Sequence, residues 1–128
     1  MDKQAATTNK GEALRQEYAS FIAKAAELFP KVDQKLLVNI LRYETAYSDW
    51  EGNALLKIMY PAGTDLEKKK EWIYSKYNRI PSIEENKTVR FKAIKMYVEE
   101  LAELLSEDPE IEYVTGTTTL SPSEAYSS

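Results

Sequence analysis

Apolar residues recur every three or four positions through most of this chain, in runs that open and close at helix signals. Ala13, Leu14, Tyr18, Phe21, Ile22, Ala25, Leu28 and Phe29 make one stripe of an amphipathic helix. Asn9 stands three residues before Glu12, a capping pattern, and Pro30 ends the run because the residue before a proline avoids helical geometry. Asp33 is the expected cap of a second helix with a broad apolar face: Leu36, Leu37, Ile40, Leu41, Tyr43, Tyr47 and Trp50. Gly52 stops it. Residues 54–60, with Leu55, Ile58 and Met59, read as one or two helical turns before Pro61.

Thr64 and Glu67 form a second capping box, opening a helix to about Asn78 that buries Leu66, Ile73 and Tyr77. Ser82 and Glu85 form a third. The helix expected there is the longest, to about Ser106, with a packing seam of Phe91, Ile94, Val98, Leu101 and Leu105. Asp108-Pro109 ends it. Residues 110–115 alternate polar and apolar, a short extended segment, and a Ser/Thr-rich stretch follows. The expected fold is therefore all-α: a compact bundle of four to five helices over residues 10–106. A polar arm precedes it at residues 1–9, and an extended, flexible tail follows at residues 107–128.

The chain has 128 residues, enough for one domain with a real core. It contains neither histidine nor cysteine. Disulfides, thiolate metal sites, cysteine nucleophiles and the Ser-His dyad are thereby excluded. No catalytic, cofactor-binding or metal-ligating set is expected, and no cofactor. Glu99, Glu100, Glu103 and Glu107 could suggest a di-metal bundle site, but such a site needs Glu-x-x-His partners and inward-facing carboxylates. Asn86-Lys87-Thr88 matches a glycosylation sequon but falls within an expected helix. The start of the chain is unlike a signal peptide and no run could span a bilayer, so a cytoplasmic protein, or one assembled into a particle from cytoplasmic subunits, is expected. Nine tyrosines, abundant Lys and Glu and missing Cys also resemble thermophile compositions.

Charge is unevenly distributed. Residues 65–95 hold nine basic and five acidic side chains, whereas residues 96–128 hold eight acidic and no basic ones. In the expected long helix this order opposes the helix dipole, so local stability does not account for it. The basic part could meet nucleic acid or the acidic part of a neighbouring copy. The candidate interaction face is Lys69, Trp72, Lys76, Arg79, Lys87 and Arg90. The candidate acidic partner face is Glu99, Glu100, Glu103 and Glu107. The expected function is non-enzymatic: a self-assembling structural subunit, such as a viral or filament coat protein, working through protein contacts as a homo-oligomer. Two alternatives stand beside it. One is an accessory or regulatory nucleic-acid binder using residues 68–95. The other is a small inhibitor or immunity protein using the acidic residues 99–112.

Overall fold

A computed structural model describes residues 3–120, and the side chains of residues 9–120. The chain divides into two compact units, residues 1–30 and 31–128. The first holds one long helix, α1 (Lys3–Leu28). This helix continues back through Asn9, so the expected cap lies inside it. Of the expected N-terminal arm, residues 1 and 2 lie outside the described residues.

The second unit overturns the all-α expectation. It holds α2 (Gln34–Ala46), β1 (Ala54–Met59), α3 (Leu66–Tyr77), β2 (Ser82–Glu84), β3 (Thr88–Ala93), α4 (Val98–Glu107) and β4 (Tyr113–Thr118). The described residues thus form four helices and a four-stranded antiparallel sheet, an α+β fold and not a helical bundle. The strand order is β2-β3-β1-β4. From β1 to β4 the elements run βαββαβ, the split-βαβ arrangement in which each helix carries the chain across a strand.

Period-2 patterning explains the sheet. In β3, Val89, Phe91 and Ala93 are buried and alternate with Arg90 and Lys92. They pair in register with Ile58, Leu56 and Ala54 of β1. On the other side of β1, Ile58 faces Val114 and Leu56 faces Gly116. Gly116 has φ +147, and a Cβ there would lie 2.0 Å from the Leu55 carbonyl oxygen, so only glycine lets β4 approach this closely. The outer edge of β4 is bridged by residues 31–33: Val114 N donates to Lys31 O and Asp33 N to Val114 O, both at 2.8 Å.

The supposed longest helix is thus a hairpin followed by a shorter helix. Ser82 and Glu85 do not cap anything. Glu85 (φ 54) and Asn86 (φ 57) both adopt the left-handed conformation, the requirement of a type I′ hairpin turn, and Lys87 N donates to Glu84 O at 3.3 Å. Of the expected seam, Phe91 belongs to β3 and Ile94 to the loop after it, while Leu101 and Leu104 form the buried side of α4. β1 replaces the expected helical turns at residues 54–60. β4 extends the expected extended segment to Thr118; the last part of the expected tail, residues 121–128, lies outside the described residues.

α3 lies where it was expected, although Thr64 does not cap it and its hydroxyl donates to the Pro61 carbonyl instead; α2 ends at Ala46, well short of Gly52, with no side-chain cap from Asp33. The cap of α3 is Asp65, whose side chain accepts from Lys68 N at 3.3 Å, and Asn78 closes the helix in the left-handed conformation. Leu36, Leu37 and Ile40 of α2, Ile73 of α3 and Leu101 and Leu104 of α4 are all buried, as are Leu56, Ile58, Val89 and Val114 of the sheet. Together they supply the apolar layer that holds the unit together.

Candidate interaction surfaces

The basic and acidic segments meet each other within one chain. Lys76 of α3 pairs with Glu103, at 3.0 Å, and with Glu107 of α4. The hydrogen bond that Lys76 donates to Glu107 raises the Lys76 pKa well above its ordinary value against the opposing effect of burial, and Glu103 adds to the rise. Glu103 in turn is held below the ordinary carboxylate value, first by the hydrogen bond from Lys76 and then by its charge.

Two turns earlier on α3, Lys69 enters a more buried network. Its Nζ donates to Asp108 Oδ1 at 2.9 Å and Glu110 Oε1 at 3.3 Å, and lies 5.2 Å from the Tyr60 ring centre. Tyr60 Oη donates to Asp108 Oδ2 at 2.8 Å. Asp108 also accepts from Glu110 N at 3.3 Å. Burial, followed by the hydrogen bond to Asp108, raises the Tyr60 pKa far beyond the usual phenol range. For Lys69, burial acts to lower the value, but the bond and charge of Asp108, then those of Glu110, outweigh it. Asp108 is therefore a buried carboxylate that ties β1, α3 and the end of α4 together.

The linkage of these shifts to stability has a definite sign. The lowered Glu103 contributes stability above its ordinary value of 4.5, and this is lost as pH falls through the lowered folded value. The raised Lys69 and Lys76 contribute fully below 10.5, and their share is lost as pH rises through the raised values. Thermal melts are expected to show a plateau from about pH 5 to 10, falling on both sides. Lys76→Met should flatten the acid limb in particular. An acid limb equally steep in that variant would show that the α3–α4 pairs are not its source.

The rest of the expected basic face is spread over the unit. Trp72 is half-buried beside a cavity of about 360 Å³ that Lys69, Asp108 and Glu110 also line. Arg79 follows the end of α3, and Lys87 is exposed in the β2–β3 turn. Arg90 alternates with the buried Val89 and Phe91, which places it on the opposite side of the sheet, where its Nη1 donates to Glu84 at 3.3 Å. The acidic group is divided too. Glu103 and Glu107 face Lys76, whereas Glu99 and Glu100 line a separate cavity of about 360 Å³ with Glu44, Tyr47, Ser48, Trp50 and Tyr97. There Glu44 caps α4 from a neighbouring helix, its Oε1 accepting from Val98 N at 2.7 Å.

A different surface emerges on α1. Leu14, Tyr18, Phe21 and Leu28 are 72%, 63%, 41% and 61% exposed. With the buried Ala25 they follow heptad-like spacings of four, three, four and three. Ala25, by contrast, is buried at 6% exposure, and Ile22 and Phe29 beside it are half-buried, so the exposed apolar residues are Leu14, Tyr18, Phe21 and Leu28. Gly11 continues the seam by another half-turn pair. Inside a helix it costs roughly 1 kcal/mol relative to alanine. The stripe was legible in the sequence, but its heptad register and its exposure were not drawn from it. A long amphipathic helix is ordinarily assigned to a core.

No helix among the described residues is long and apolar enough to cross a membrane. No protein-family model, curated protein or solved structure matches this chain.

Proposed function

We propose that this protein acts without chemistry of its own, as a self-associating subunit whose contact surface is the apolar stripe of α1. It would do so as a cytoplasmic protein, or within a particle built from cytoplasmic subunits. The observation that carries the reading is the exposure of Leu14, Tyr18, Phe21 and Leu28 along one helix face. α1 is the sole described element of its compact unit, so nothing in that unit covers the stripe. Single exposed apolar residues are ordinary, but a heptad row of two aromatics and two leucines on one face calls for a partner. The absence of histidine and cysteine adds to this by removing the commonest catalytic groups.

The alternative readings draw in part on charges already engaged inside the chain. Lys69 and Lys76 of the basic segment hold Asp108, Glu110, Glu103 and Glu107 of the acidic one. Light scattering across a concentration series tests the proposal. A mass that climbs above 14.7 kDa with concentration supports it; a chain of 14.7 kDa up to roughly millimolar concentration, beyond any useful affinity, rejects it.

A further inference from the structure

We infer that the cavity between the end of α2 and the start of α4 binds an alkylated ammonium cation, caged by Tyr47, Trp50 and Tyr97 and neutralised by Glu44, Glu99 and Glu100. The cavity measures about 360 Å³, near the lower end for small-ligand sites, which suits a headgroup. Its aromatic part is set at steep angles. Trp50 meets Tyr43 at 77° and Tyr97 at 86°, with ring centres 5.4 and 5.7 Å apart, and Tyr47 meets Tyr43 at 71°. Rings arranged in this way form the walls of a box rather than a stack. Trp50 Nε1 donates to Thr119 O at 2.7 Å and Tyr97 Oη to Trp50 O at 3.1 Å, so both rings are pinned before anything binds. Gly52 lets the two segments run together. It has φ +73, and a Cβ there would lie 2.5 Å from Met96 N, which donates to Gly52 O at 2.9 Å. Trp50 is buried, whereas Tyr47 is 45% exposed and is the wall open to solvent.

Apart from Ser48, the remaining lining side chains are acidic, beyond what the helix end requires. Glu44 Oε1 accepts from Val98 N at 2.7 Å, and the N-terminus of α4 carries roughly half a positive charge. Three carboxylates exceed that several-fold. No lysine or arginine lines the cavity, and none of the three carboxylates joins an ion pair among the described residues. A metal ion is a poor match, because no three acidic side chains among the described residues converge closely enough to hold one. The negative charge is therefore diffuse and the wall beside it is aromatic. A large, weakly hydrated cation uses both, with its charge toward the carboxylates and its alkyl groups on the rings. A primary ammonium is a compact, strongly hydrated charge that needs close acceptors instead.

An NMR titration of the full chain with choline chloride, at constant ionic strength, reads this out. The indole N–H of Trp50 is expected to shift and saturate with a dissociation constant of about a millimolar, while that of Trp72, on α3 and outside this lining, stays in place. The neutral isostere, in which tert-butyl replaces trimethylammonium, should bind at least about tenfold more weakly. Glu99→Gln with Glu100→Gln should weaken choline binding by about tenfold and Tyr47→Ala by about fivefold, both at unchanged circular dichroism. A trimethyllysine peptide separates the two sources of such a cation. Affinity equal to that of choline assigns a free small molecule, and affinity at least about tenfold tighter assigns a lysine side chain of another protein. A Trp50 resonance that never shifts, that moves no differently from Trp72, or that responds equally to the neutral isostere overturns the cage. So does a choline affinity unmoved by both variants. None of these outcomes bears on self-association through α1.

Discussion

The double substitution Leu14→Asp with Phe21→Asp is expected to abolish self-association while leaving residues 31–120 folded. Leu14 opens the exposed stripe on α1 and Phe21 lies near its middle, at 72% and 41% exposure. Fully burying a Leu or Phe side chain is worth roughly 1.5–3 kcal/mol, and a buried unpaired carboxylate costs several more. Two such changes on each of two facing helices therefore weaken the contact by at least about 100-fold. The monomer has little to lose from them, because solvent already reaches both side chains. Far-ultraviolet circular dichroism and the urea midpoint should stay at wild-type values as the particle mass falls to that of one chain. Association of unchanged strength in this variant would place the contact surface elsewhere.

The second large effect lies in the other unit. Asp108→Ala is expected to destabilise it by about 3 kcal/mol, because removing one member of a buried ion pair leaves the other charge uncompensated. The Asp108 side chain is 6% exposed and that of Lys69 16%, so water cannot easily take its place. The value sits at the lower end for such losses because Lys69 keeps Glu110, itself 66% exposed, as a weak second partner. Tyr60→Phe removes one hydrogen bond to Asp108 and leaves the ion pair intact, so about 1 kcal/mol is expected. Of a typical total of roughly 5–15 kcal/mol, the loss in Asp108→Ala shows clearly as a lower urea midpoint. A change under about 1 kcal/mol would mean that Asp108 is held by solvent rather than by Tyr60 and Lys69.

The sequence made the helices legible where local signals agreed with the tertiary outcome. α2 and α3 carried helical periodicity over the faces they bury, although α2 ends at Ala46 before the expected stop at Gly52 and the cap of α3 falls on Asp65 rather than Thr64. The sheet was missed because three of its strands look locally like something else. Residues 54–59, Ala-Leu-Leu-Lys-Ile-Met, are nearly continuous in apolar character and composed of good helix formers; only burial of a central strand between two neighbours explains them. Residues 88–93 do alternate, but Phe91 also lies three before Ile94 and seven before Val98, so a period of two was absorbed into a false period of three to four. Ser82 and Glu85 satisfied a capping rule while Glu85 and Asn86 were making a hairpin turn without the glycine that usually marks one.

Misplacing those elements also misplaced the charge argument. The basic-then-acidic order was read as a surface for nucleic acid or for the acidic part of a neighbouring copy. The partner for Lys76 and Lys69, however, is the same chain, brought round by β2, β3 and α4. Only the topology could reveal this, since 27 residues separate Lys76 from Glu103 and 39 separate Lys69 from Asp108. The α1 stripe, by contrast, was present in the sequence from the start, and what the structure adds is that it stands uncovered within its own unit.

Amide hydrogen exchange on the wild-type chain, compared between dilute and concentrated solutions, tests the central claim most directly. If the α1 stripe is the contact surface, exchange across residues 11–28 slows as concentration rises, while residues 31–118 keep their rates. Exchange over residues 11–28 that is independent of concentration, in a protein whose mass nevertheless grows, would contradict it.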